Sequence, residues 1–99
     1  MINDFQTGEW LAYTINVVQS GIYRIEALVS SELSTSRFHI EIDGVNTTGS
    51  VSVPNTGSWN TFNWIGKGGV NLAAGLHTLR IYAEQQSFNL DAIRVRKGP

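Results

Sequence analysis

The chain has 99 residues, a formal net charge of −1 and 15% charged side chains. That is enough for one buried core, and it leaves no basic stripe to hold a nucleic acid or an anionic membrane. Cysteine is absent, which excludes disulfide staples and thiolate metal sites, and no apolar run nears the roughly 20 residues of a membrane span.

Helical periodicity is missing throughout, and period-2 alternation recurs instead. Trp10 to Val17 places Leu11, Tyr13, Ile15 and Val17 on one face, and Trp10, Ala12, Thr14 and Asn16 on the other. Gln19-Ser20-Gly21 turns into Ile22 to Val29, where Tyr23, Ile25, Ala27 and Val29 point inward. Ser30 to Ser36 has loop composition. Arg37 to Asp43 turns Phe38, Ile40 and Ile42 inward, and Asp43-Gly44 is a turn signal.

A short strand over Gly49 to Val53 stops at Pro54. A loop follows over Pro54 to Ser58, then a strand around Asn60 to Ile65 in which Trp64 shares the core parity of Phe62. Gly66-Lys67-Gly68-Gly69 reads as a turn before a short strand over Val70 to Leu72. Leu76 to Ala83 places Leu79, Ile81 and Ala83 together. In the last run, Phe88 to Val95, parity breaks near Ala92, which predicts a bulge or burial on both faces. Strands of this number and length, separated by turns, predict a single all-β domain over residues 1–99, an antiparallel β-sandwich with loops gathered at its ends.

Several aromatics do not fit the core. Trp59 follows a loop, and an indole left in water there invites a flat apolar partner such as the C–H face of a sugar. Covering one ring face, roughly 100 Å² at about 25 cal/mol per Å², stabilises a complex by about 2–3 kcal/mol. Trp10 and Tyr82 lie on outward parities. Asn89, at the start of the last strand, can both donate to and accept from hydroxyls.

Four stretches together resemble carbohydrate-binding module family 6. Gly8 to Val17 resembles its opening GDWLxYxVNV segment, and Ser20 to Ile25 its xGxYxx strand. Val53 to Trp59 is similar to its VPNTGGW loop, and Leu72 to Arg80 with Phe88 to Asp91 to its closing LxAGxHTLRL and FNLxW segments. The resemblance implies a jelly-roll-like sandwich appended to a secreted polysaccharide-degrading enzyme, itself non-catalytic, that binds β-linked glycans of the xylan, β-glucan or agar type. It implies a loop site with Trp59 as stacking platform and Asn89 as hydrogen-bonding partner. It also implies a second site along a concave sheet face, where Trp10 and Glu41 match binding positions and Tyr82 shares the surface.

The chain departs from the family pattern at two places. Where the family carries a second stacking aromatic, this chain has Asp4, with Phe5 beside it, so either Phe5 partners Trp59 after a register shift or Trp59 stacks alone. The family also carries a further N-terminal strand that helps hold a structural calcium. Asp91 matches a calcium-ligand position, but a lone carboxylate is a poor site for an ion that takes six to eight oxygens. A missing strand would leave a sheet edge uncovered and favour self-association. The opening Met1-Ile2-Asn3-Asp4 has neither the basic start nor the apolar stretch of a signal peptide, as expected of a module taken from an extracellular enzyme.

Two rival functions compete. A ligand-free adhesive or structural β-domain shares the same strand pattern. A small glycoside hydrolase would use Glu41 and Asp43, two apart on one strand and so on one face, with backbones about 6.6 Å apart. Of the two histidines, His77 shares parity with Leu79 and Ile81 and is expected to be structural, while His39 is expected on a solvated face.

Overall fold

Alternation builds the central strand of each sheet. In the computed structural model, which describes residues 2–98, β3 (Gly21–Ser30) buries Ile25, Ala27 and Val29. β4 (Arg37–Ile42) buries Phe38, Ile40 and Ile42, and β8 (Gly75–Gln85) buries Leu79, Ile81 and Ala83. These faces meet in one core, and the outward positions between them carry mostly polar side chains, Leu28 excepted, the pattern of an antiparallel sandwich.

The remaining strands are β1 (Ile2–Phe5), β2 (Trp10–Val17), β5 (Val45–Asn46), β6 (Val51–Ser52), β7 (Asn63–Leu72) and β9 (Phe88–Lys97). One sheet has the order β1-β9-β3-β7. The other has the order β2-β8-β4-β5, with β6 also pairing β4. Every pairing is antiparallel.

The expected break in the last strand is a bulge. Leu28 faces Ala92 while its neighbour Val29 faces Leu90, so Asp91 is the extra residue. The expected turn at Gly66 to Gly69 is not a turn; β7 runs through it. The reason is steric. Gly66 lies opposite Glu26, and a Cβ there would stand 1.9 Å from the Ile25 carbonyl oxygen. The glycine permits a close backbone approach inside the ladder rather than a reversal of direction.

Three further expectations change. Trp64 is not core: Ile65 packs against the core instead, and the half-buried Trp64 indole lies under the Arg94 guanidinium, 4.0 Å from the ring centroid. Tyr13 has the inward parity expected of it but remains 46% exposed. It borders an open cleft of about 550 Å³ between the sheets, with Ile15, Leu79, Ile93 and Val95. Ser30, Ser31 and Ser36, read as loop residues, are buried. Their hydroxyls donate to the carbonyls of Trp59 and Ser87, which satisfies backbone groups that would otherwise be orphaned.

Candidate functional site

The loop from Pro54 to Asn60 is braced by its own side chains. Asn55 Oδ1 accepts from the Gly57 amide at 2.8 Å, an Asx turn in which Gly57 takes φ +87°. Asn55 Nδ2 donates to the Glu32 carbonyl, and the Thr56 amide donates to the Ser31 carbonyl at 2.8 Å. Ser58 Oγ accepts from the Asn60 amide. Trp59 sits at the end of this loop, half-buried, and its carbonyl accepts from Ser30 Oγ at 2.7 Å and from Asn89 Nδ2 at 3.2 Å.

Asn89 is 9% exposed. Its Oδ1 accepts from the Asp4 amide at 2.8 Å, so one carboxamide ties the N-terminal strand to the Trp59 loop. Asp4 is exposed and has φ +57°. Hydrogen bonds from Ser87 and Gln6 hold its carboxyl below the usual range. Trp59, Asn89 and Asp4 therefore converge at one end of the sandwich, as expected. Phe5 does not join them. It is 1% exposed, with its ring edge-on to Phe88 at 5.3 Å. Asp4 and Phe5 are neighbours in one strand, so the side chain beside the site is Asp4 and the next one enters the core. No two-sided aromatic clamp forms through Phe5.

The second group lies on the outer face of the other sheet. Register places Trp10 opposite Tyr82 and Tyr82 opposite His39, a row of three rings across β2, β8 and β4. Neighbouring strands are about 4.8 Å apart, and the His39 and Tyr82 rings stack at 5.4 Å with 12° between their planes. Trp10 is 50% exposed. The next row holds Ala12, Arg80 and Glu41. Arg80 lies 4.4 Å from the Trp10 ring centroid, and its buried Nε finds no hydrogen-bond partner. The sheet thus brings together Trp10, Tyr82 and Glu41, the residues expected on this face.

His39 and Glu84 belong to the same surface and were not singled out for it. His39 is not simply solvated. Its Nδ1 lies 2.6 Å from Glu84 Oε2 and its Nε2 lies 3.0 Å from Glu41 Oε2. Burial pushes the Glu84 carboxyl up, but the Ser50 hydroxyl, His39 and Arg37 together bring it below its ordinary value. The available signal was the shared parity of His39 and Glu41 on one strand, which marks a common face without naming what lies opposite.

The carboxylates proposed for hydrolysis are spent separately. β4 ends at Ile42, and Asp43 turns away at φ +52°. Its Oδ2 meets His77 Nδ1 at 2.6 Å and its Oδ1 accepts from the Thr78 amide. Those bonds hold Asp43 below, and His77 above, their ordinary values. His77 Nε2 donates to the Ala73 carbonyl, the structural role its parity suggested. Glu41 faces His39, with Arg80 at 3.9 Å. For calcium, Asp91 is exposed on the cleft wall. Among the described residues no cluster of three or more acidic, histidine or cysteine side chains surrounds it.

The model for carbohydrate binding module (family 6) matches residues 1–97. The chain is 35% identical to the clotting factor G alpha subunit of Tachypleus tridentatus over 94 residues, covering 93% of this chain and 14% of that protein, and so spans about a seventh of its length. The C-terminal family 6 module of LamC, a marine laminarinase from Zobellia galactanivorans, superposes with a TM-score of 0.84 at 34% identity, covering 93% of this chain and 75% of that one. A module of Cellvibrio mixtus lichenase 5A, solved in complex with cellotriose, gives a TM-score of 0.82 at 35% identity, covering 95% of this chain and 74% of that one. With this fold, and with aromatic side chains left accessible at a loop and on a sheet face, the chain belongs to carbohydrate-binding module family 6, a family of non-catalytic carbohydrate-binding domains.

Proposed function

We propose that the chain binds β-linked glucan, as a chain end or short segment, on the Trp59 platform. The observation that carries this is the partly exposed Trp59 at the end of a loop whose backbone is already braced, with the Trp59 carbonyl held by Ser30 and Asn89. A loop backbone set before the ligand arrives loses little freedom on binding. Asn89 keeps a second amide N–H for a sugar hydroxyl, and Asp4 borders the same end. The laminarinase origin of one close structural relative and the cellotriose bound to another support the β-glucan assignment. The row Trp10, Tyr82, His39 forms a second platform, favoured by the 50% exposure of Trp10 and the unpartnered Nε of Arg80.

The test is affinity electrophoresis against laminarin, mixed-linkage β-glucan, xylan and agarose. Trp59→Ala should weaken β-glucan retention about tenfold or more while circular dichroism stays unchanged, and Trp10→Ala should weaken it less. Full retention in both variants overturns the assignment.

The natural setting we propose is extracellular, as one domain of a polysaccharide-degrading enzyme. The same geometry supports self-association. Among the described residues, β1 pairs β9 only between Phe88 and Leu90, which leaves the β9 edge from Asp91 to Lys97 without a neighbour on that side. A second copy pairing antiparallel there would set Asp91 opposite Lys97 and Ile93 opposite Val95, which favours this register, while each Arg94 would lie opposite its counterpart, which opposes it and is relieved by salt. Sedimentation equilibrium should show a dimer at high concentration, and a monomer throughout rules it out.

A further inference from the structure

We propose that the outer face of the β1-β9-β3-β7 sheet is a separate site for acidic sugars, with the guanidinium groups of Arg24, Arg94 and Arg96 receiving a carboxylate or sulfate ester borne on a polysaccharide. The site begins with one buried carboxylate. Glu26 is 3% exposed and points to the outer face from the middle of β3. Three arginines close on it: Arg24 Nε at 3.0 Å from Oε2, Arg94 Nε at 2.8 Å from Oε1, and Arg96 Nε at 3.1 Å from the same Oε1.

One carboxylate needs one guanidinium for neutrality, so this cluster retains two positive charges on a chain whose net charge is −1. Three like charges so close together repel one another, and an arriving anion relieves that repulsion. All three arginines meet Glu26 through Nε. Their terminal N–H₂ pairs remain for another acceptor, and these are the paired donors that match a carboxylate or sulfate.

The arginines are also held in place. Hydrogen bonds to Glu26 hold Arg24 and Arg94, the ion pair with Glu26 draws in the more exposed Arg96, and the Trp64 ring under Arg94, 4.0 Å from its guanidinium carbon, holds that one a second time. Cations already fixed lose less side-chain freedom on binding than free lysines would. Leu28 pairs Trp64, and Glu26 pairs Arg94, along β3, so the ring and the cations follow one another down the strand at about 6.6 Å per two residues. The face belongs to neither the Trp59 loop nor the Trp10 row.

The experiment is a titration of the intact domain with oligogalacturonate and with κ-carrageenan oligosaccharide, one carrying carboxylates and the other sulfate esters. It is followed by NMR at the arginine Nε–H groups and the indole N–H groups. The expected result is movement of the Arg24, Arg94, Arg96 and Trp64 resonances with at least one of the two, and the responding ligand names the anion. Arg24→Gln/Arg96→Gln leaves Arg94 on Glu26 and should weaken this binding about tenfold, with neutral β-glucan retention unchanged. No response to either ligand overturns the proposal. So does an equal response to inorganic sulfate, or a response that the double variant leaves intact. Neutral glucan binding is scored separately, so failure here is distinct from failure of the Trp59 platform.

Discussion

Asn89 Nδ2 donates to the carbonyl oxygen of Trp59 at 3.2 Å across a sequence separation of 30 residues, and the same carboxamide accepts from the Asp4 amide. The loop carrying the indole and the strand preceding the site are therefore set by one buried side chain.

Replacing it tests that arrangement. Asn89→Ala leaves the Asp4 amide without its acceptor and the Trp59 carbonyl with Ser30 alone. The expected cost is about 1–3 kcal/mol in urea denaturation, with glycan affinity reduced as well. Unchanged stability would mean that the carboxamide does not brace the loop.

Phe5→Ala separates a packing role from a sugar-stacking one. The ring is buried against Phe88, so truncation should cost about 3–5 kcal/mol. Affinity measured well below the lowered melting temperature should stay close to that of the parent chain. A loss of affinity without a loss of stability would restore Phe5 to the binding surface.

Gly66→Ala should be among the most damaging single substitutions in the chain. The added methyl would meet backbone, the Ile25 carbonyl oxygen at 1.9 Å, which cannot rotate away as a side chain can. A loss of at least about 3 kcal/mol, or failure to fold, is expected. A melt within a degree of the parent would show that β7 can shift.

The Asp43–His77 pair makes stability depend on pH. His77 is raised above 6.5 by its bond to Asp43 and then by that to the Ala73 carbonyl, so its contribution is complete below 6.5 and is lost as pH rises through the higher folded value. Asp43 is lowered below 3.8 by His77 and then by the Thr78 amide, so its contribution is complete above 3.8 and is lost as pH falls through the lower folded value. Melting temperatures of the parent and Asp43→Asn, which still accepts from Thr78, should differ most between about 3.8 and 6.5 and converge above neutrality. A difference that grows with pH contradicts this.

Parity along β3, β4 and β8 was sufficient to place Ile25, Ala27, Val29, Phe38, Ile40, Ile42, Leu79, Ile81 and Ala83 in the core. It also marked a break near Ala92, which the register resolves as a bulge at Asp91. Parity gives direction only. Tyr13 points inward, yet no described element covers it. Composition misled at Gly66 to Gly69, because glycine serves a close approach within a ladder as well as a turn. Trp64 was assigned inward by its spacing from Phe62, but its register against Leu28 sets it on the outer face. Trp10, Tyr82 and Glu41 were legible as outward residues. Their meeting with His39, Arg80 and Glu84 depends on cross-strand register, which no single segment encodes.

The bracing of the Pro54 to Asn60 loop has a kinetic meaning. A loop backbone that does not have to be arranged at the moment of encounter lets association proceed at the pace set by collision and orientation. Glycans that differ in linkage should then be told apart by residence time, the slow step being departure from the ring.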